Sequence, residues 1–249
     1  MSALFHVGIS GARGRMGRAV SQVLDAREDV VVAARFDWGD QPNLSMCDVV
    51  IDFTTAEASL ALAQACAETG GPALVIGSTG FTPEQEAALA VAAERVAVVR
   101  SGNFSLGVNI LIGLVEHAAL RLDARDWDIE VLETHHRRKI DAPSGTALML
   151  GEAAANGRGA DLADLQSPPY DGITGEREPG KIGFAVSRAG GVIGEHTVTF
   201  AAEDEILRLS HTALDRSLFA KGAVAAAAWV RQRRPGLYDM QDVLGFRQA

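Results

Sequence analysis

The chain has 249 residues, 47% of them hydrophobic, with 23 Lys and Arg against 32 Asp and Glu for a formal charge of −9. That length and apolar content suit one large or two modest folded domains and exclude a disordered chain. The acidic balance argues against a nucleic-acid partner, which needs a basic face to neutralise phosphates. The longest uncharged runs, such as Ser101–Val115, fall short of the roughly 20 apolar residues that span a bilayer, so no membrane partner is expected. Cys47 and Cys66 form no disulfide framework or C-x-x-C motif, and no basic n-region precedes the apolar run Leu4–Ile9. A cytoplasmic chain with reduced thiols is the expectation.

In chain order, the run Leu4–Ile9 predicts a strand, Arg15–Ala26 a helix, and the continuous apolar stretch Val30–Phe36 a strand buried on both faces. Val49–Phe53, Ala73–Ile76 and Val96–Val99 repeat the strand pattern, with Ala-rich helices at Glu57–Glu68 and Pro83–Glu94 between them. The second helix opens Thr82-Pro83-Glu84-Gln85, an N-cap, an N1 proline and a capping-box Gln. Such alternation predicts an α/β, Rossmann-like, doubly wound parallel sheet. After an apolar helix at Val108–Leu122 the texture changes. Residues 128–131 alternate, Asn156–Gly180 reads as a long surface loop, and Lys181–Arg188, Val192–Ala202 and Ile206–Thr212 alternate as antiparallel strands do. A closing helix at Ser217–Arg234, ended by Pro235-Gly236, returns to the first domain. The expected organisation is a dinucleotide-binding domain from 1–106 and 216–249, and a second α+β domain at 107–215 with a mainly antiparallel or mixed sheet.

Gly11-Ala12-Arg13-Gly14-Arg15-Met16-Gly17 lies between the first strand and the first helix. Glycines let the backbone turn sharply and approach a pyrophosphate, and a helix N-terminus offers N–H groups and positive partial charge. Asp37, twenty residues past Gly17 at the end of the second strand, suits an adenosine ribose. Arg13, Arg15 and Arg35 suit a ribose 2′-phosphate or simply face solvent, so the choice between NADH and NADPH stays open. Phe53-Thr54-Thr55 and Gly77-Ser78-Thr79-Gly80-Phe81 follow strands at the edge where ligands of doubly wound sheets lie.

In a chain of this charge, Glu133-Thr134-His135-His136-Arg137-Arg138-Lys139 is conspicuous, and Pro143-Ser144-Gly145-Thr146 then opens a helix. Imidazoles that donate protons, a lysine and a helix N-terminus together suit a carboxylate-bearing substrate. No metal is expected, because adjacent histidines in an extended chain point apart and no second ligand set exists. The remaining histidines, His6, His117, His196 and His211, read as structural. Arg216 is either a support for the substrate cleft or a surface residue.

These motifs together resemble the dihydrodipicolinate reductase family over nearly the whole chain. Gly11–Gly17, Asp52-Phe53-Thr54, Gly77–Phe81 and Asn103-Phe104-Ser105 resemble its cofactor segments. Glu133–Ala147 matches its signature E-x-H-H-x-x-K-x-D-A-P-S-G-T-A at every fixed position, and Gly194–Val198 and Phe219–Ala223 resemble later blocks. The resemblance implies reduction of 4-hydroxy-tetrahydrodipicolinate to tetrahydrodipicolinate by NADH or NADPH, with loss of water. It implies His135 as general acid/base and Lys139 as proton donor, with His136, Lys139, Gly145 and Thr146 holding the substrate carboxylates. It implies cofactor contacts from Gly11–Gly17, Asp37, Phe53, Thr54, Gly77, Ser78, Thr79, Ser101, Gly102, Asn103 and Phe104. A homotetramer built on the sheet of the second domain is implied as well. Where many members carry Ala-Pro or Ala-Ala before Asn-Phe, this chain carries Ser101-Gly102. Two rival readings are an aspartate-type amino-acid dehydrogenase, which should lack the paired histidines and Lys139, and a silent NAD(P)-binding sensor, which should have a spoiled cluster.

Overall fold

Short β-branched runs become strands in a computed structural model that describes residues 4–37 and 39–247. β1 (Phe5–Ser10), α1 (Arg15–Asp25), β2 (Val30–Phe36), β3 (Val49–Asp52), α2 (Ala56–Thr69), β4 (Ala73–Ile76), α3 (Pro83–Ala93) and β5 (Ala97–Arg100) alternate as the hydrophobic pattern dictates. The Thr82–Gln85 capping box forms, and α2 is stopped by left-handed Gly70. All strands pair in parallel in the order β5-β4-β3-β1-β2. Central β3 is buried along its whole length. β2 departs from expectation: as an edge strand it alternates, with Val31 exposed and Val30 and Val32 packed on the core. A β-branched run carries no sign of whether a helix covers its second face.

The pairing register matters for function. Phe36, Ser10, Asp52, Ile76 and Arg100 form one row across the sheet. Asp37, Gly11, Phe53, Gly77 and Ser101, the first residues of the five candidate cofactor segments, are therefore each one step beyond that row.

Leu106 ends the first run and begins α4 (Leu106–Ala119); Gly107–Arg216 form a second compact unit. β6 (Asp128–His135), α5 (Gly145–Gly157), α6 (Leu162–Leu165), β7 (Ile182–Arg188), β8 (Glu195–Ala201) and β9 (Ile206–Thr212) follow. The sheet order is β7-β6-β8-β9. β6–β8 and β8–β9 are antiparallel, but β6–β7 is parallel, correcting the antiparallel expectation for 181–188. The stretch 156–180 is likewise less irregular than expected: it contains the end of α5, all of α6, and a bridge from Gln166 to Ile182. One sheet face packs Ile129, Val131, Val198 and Phe200 against α4 and α5 side chains such as Val115 and Leu150. The other face carries exposed Leu132 and Ile206 among Thr197, Arg208 and Ser210.

From Ser217 the chain rejoins the first unit. α7 (Ser217–Val230) buries an alanine-rich face with β1 and β3, and ends four residues before the expected Arg234. β10 (Gly236–Tyr238) then adds a sixth parallel strand beside β5, and α8 (Met240–Val243) follows. Pro235-Gly236 thus ends the helix but opens a strand too short to show periodicity.

Candidate active site

The glycine loop owes its path to missing side chains. Gly11 has φ +75°, and a Cβ on Gly17 would collide with the Gly11 carbonyl and lie 2.7 Å from Ala12 Cα. Gly14 caps α1 with no side-chain hydrogen bond, whereas Thr55, Thr82 and Ser144 cap α2, α3 and α5 with their hydroxyls. Only the first of these four helix ends keeps its N–H groups clear of a capping side chain, as a phosphate requires. Met16 and Ala12 pack on the core, and Arg13 and Arg15 are exposed. The Arg13 N–H donates to the Asp37 carboxylate at 3.3 Å, and its Nε lies 3.3 Å away. Arg35 instead pairs with Asp25 at 3.0 Å. A cavity of about 500 Å³ opens beside Asp37, lined also by Ser10, Thr54, Ala58 and Leu62. Uncapped helix end, glycine cradle, carboxylate and largely apolar cavity fit a dinucleotide.

Neighbouring segments are wired beneath that edge by Asp52, which is fully buried. It accepts from Thr54 Oγ1 at 2.8 Å and from Ser59, whose hydroxyl is 2.6 Å from that of Ser78. Burial raises the Asp52 carboxyl above its ordinary value, while the Ser59, Ser10 and Thr54 hydroxyls pull the other way. The hydroxyl of Ser78 is thereby turned inward; Thr79 is exposed. Gly77 has no room for a Cβ, which would collide with the Phe53 ring. Phe53 meets Phe104 edge-on at 5.7 Å, and Gly222 of α7 leaves no space for a Cβ against the Phe104 carbonyl. Ser101 closes its own turn: its hydroxyl donates to the Asn103 carbonyl at 2.7 Å and accepts the Asn103 N–H at 3.2 Å. Asn103 Oδ1 accepts the Ser105 N–H at 2.8 Å, leaving Gly102 exposed. In this chain the Ser101 hydroxyl holds the loop.

In the second unit, β6 runs on to His135, four residues past the alternation seen at 128–131. The period of two then places Glu133 and His135 on the covered face with Ile129 and Val131. Glu133 is 2% exposed and His135 8%. Glu133 Oε2 lies 2.5 Å from His135 Nδ1, and Arg188 of β7 grips both carboxylate oxygens at 2.8 and 2.9 Å. The Ser144 N–H donates to Oε1 at 2.9 Å. Burial alone pushes the Glu133 carboxyl up, but hydrogen bonds from Arg188, His135 and Ser144 bring it below its ordinary value. His196, opposite Glu133 on β8, meets the His135 ring edge-on at 5.0 Å, its Nε2 3.2 Å from Ser144 Oγ. Burial and the neighbouring His135 lower His196 to about 4, so it is neutral at pH 7.

Beyond the strand, His136 is half-buried, and burial with nearby Arg138 and Arg216 lowers its imidazole. Lys139 Nζ sits 2.9 Å from Asp141, whose carboxyl it lowers. Arg137 and Arg138 face solvent. Gly145 and Thr146 occupy the first two helical positions of α5 behind the Ser144 cap, where N–H groups suit a carboxylate. The second-unit candidates His135, His136, Lys139, Gly145 and Thr146 thus share the end of β6 and the start of α5. The sequence assigns no role to Glu133 or Arg188, places Ser144 only in the anion-binding helix start, and marks His196 as structural; extending the alternation of 128–131 by four residues puts Glu133 on one face with His135. Arg188 and His196 come from strands far along the chain and leave no local signal.

Residues 5–104 match the family described as "Dihydrodipicolinate reductase, N-terminus", and residues 107–244 match "Dihydrodipicolinate reductase, C-terminus". The chain is 60% identical over 257 residues to a "4-hydroxy-tetrahydrodipicolinate reductase" of Caulobacter vibrioides, covering 100% of both. It is 48% identical to a protein of the same name from Chelativorans sp., over 96% of this chain and 95% of that one. Among solved structures, a "Dipicolinate bound Dihydrodipicolinate reductase" from Paenisporosarcina sp. TG-14 shares the fold with a TM-score of 0.77 at 24% identity, over 95% of this chain and 97% of that chain. By these sequence matches, the chain belongs to the dihydrodipicolinate reductase family.

Proposed function

We propose that this protein reduces 4-hydroxy-tetrahydrodipicolinate to tetrahydrodipicolinate with NADH or NADPH, releasing water, on the route to diaminopimelate and lysine. The observation that carries this reading is the hydrogen-bonded Glu133–His135 pair set beside Lys139 and the N-terminus of α5. That end of the sheet supplies a proton-transfer group and anion-binding groups without a metal-ligating cluster among the described residues.

Bound at the glycine loop, the reduced nicotinamide supplies a hydride. Asp37 orients the adenosine ribose, the N–H groups at Gly14–Gly17 hold the pyrophosphate, and Phe53, Thr54, Gly77–Thr79 and Ser101–Phe104 border the rest. In the second unit, the N–H groups of Gly145 and Thr146 hold one substrate carboxylate, and His136 and Lys139 the other. His135 is the general acid/base that moves the proton leaving with the hydroxyl as water, and Lys139 donates the proton that balances the hydride. The reaction requires the two bound molecules to come within transfer distance.

A homotetramer assembled on the open face of the second sheet fits its exposed Leu132 and Ile206. No described helix is long and apolar enough to cross a membrane, and we assign the enzyme to the cytoplasm. The direct test follows NAD(P)H absorbance while a synthase makes the substrate from aspartate semialdehyde and pyruvate. Oxidation that depends on that mixture is expected. Oxidation with oxaloacetate and ammonia instead would reassign the protein to amino-acid reduction.

A further inference from the structure

His135 is held on one side only. Its Nδ1 meets Glu133, whereas Nε2 makes no hydrogen bond among the described residues. Nε2 faces Gly194, where a Cβ would come within 2.9 Å; the missing side chain keeps that nitrogen approachable. Glu133 cannot swing away, because Arg188 and the Ser144 N–H fix both its oxygens. The charged and titratable groups around the imidazole are Glu133 on β6, Arg188 on β7, His196 on β8 with His211 behind it on β9, and His136, Lys139 and Asp141 in the turn.

We propose that Glu133 is a positioning residue: pinned by Arg188 and Ser144, its carboxylate holds neutral His135 as the Nδ1–H tautomer, so that Nε2 is the nitrogen that takes up and delivers the proton. The inference deepens the proposed reaction and rests on it. Its balance is simple. Protonated His135 carries N–H on both nitrogens; delivery from Nε2 leaves the Nδ1–H form, which keeps its bond to Glu133, and Nε2 can then accept a returning proton. Arg188 balances the charge of the carboxylate, so Glu133 is not left uncompensated once His135 has delivered its proton and is neutral. Neutral His196 adds an edge contact without a second cation.

Glu133→Gln discriminates this role from mere packing. The amide oxygen belongs at Oε1, where the Ser144 N–H and Arg188 Nη2 converge. The amide nitrogen then occupies the Oε2 position and donates to His135 Nδ1, which drives the ring proton to Nε2. Nitrogen-15 NMR of the imidazoles, with His135 assigned by its loss in His135→Asn, reads the tautomer without substrate. The expected result is Nδ1–H in the unaltered protein and Nε2–H in Glu133→Gln. The variant's kcat should fall about 30- to 300-fold, within the usual span for general acid–base catalysis. Substrate KM should stay within about threefold and the thermal midpoint within a few degrees. An Nε2–H tautomer in the unaltered protein overturns the proposal even if the variant does not fold. So does a folded Glu133→Gln whose kcat stays within about twofold. If the unaltered protein shows Nδ1–H but oxidises no NAD(P)H with the synthase mixture, the reaction fails and the catalytic part of the proposal fails with it.

Discussion

The carboxyl edge of the first sheet and the end of β6 solve different problems with different materials. At the first, glycines, backbone N–H groups and small hydroxyls shape a surface, and the buried charge, Asp52, lies beneath it among Ser59, Ser78 and Thr54. At the second, a carboxylate, a guanidinium and two imidazoles from three strands meet at the covered face. A dinucleotide is large and is recognised by shape and by N–H groups that need no titration. A proton-transfer site needs one group whose protonation changes and neighbours whose protonation does not. Glu133, Arg188 and neutral His196 are such neighbours.

That contrast can be broken by substitution. The largest effect is expected from His135→Ala or Lys139→Ala: kcat should fall by about 10² to 10⁴, while fluorescence titration finds NADH and NADPH affinities within about twofold. A comparable loss of cofactor affinity would mean that the two regions are not separable. Next comes pH. His196 is lowered to about 4 in the fold from an ordinary value near 6.5, so the unfolded chain takes up its proton first as pH falls. Stability is full above about 6.5 and is lost between about 6.5 and 4, by up to about 3 kcal/mol. Chemical denaturation across that window checks this, and His196→Asn should flatten the slope.

Gly17→Ala acts on the other region. A methyl there meets the Gly11 carbonyl, so the loop must shift, and both reduced cofactors should bind about tenfold or more weakly, about 1.4 kcal/mol. The His135 tautomer should be unchanged by NMR. Smallest is Ser101→Ala, which removes both hydroxyl bonds to Asn103. It should cost about 1 kcal/mol of stability in denaturant melts, with a modest rise in cofactor Kd.

Legibility divided along the same line. The glycine loop, Asp37 and the strand-end segments could be picked out because each is local: a run of strand, a turn, a helix start. Their assembly into one row depends only on parallel pairing, which strand–helix alternation already implies. The signature around His135 was equally visible, but its logic was not. His196 looked like a core histidine because its strand alternates, and it does line the core; what periodicity could not show is that the core there includes His135. The exposed outer face of β2, the parallel β7 and the three-residue β10 were missed for a related reason. Each depends on what a distant segment does: which helix covers a face, which strand lies alongside.

From residue order alone came the alternation that builds two sheets, the glycines that bend the first loop, and the residue types able to bind a carboxylate. These are consequences of local backbone freedom and of hydrophobic period, and both are written within a few residues. The folded chain alone decided that Arg188 reaches Glu133 across 55 residues, that His196 stands beside His135, and that Gly194 leaves Nε2 open. Strand register sets those distances, and register is fixed by the packing of the whole sheet rather than by any one strand.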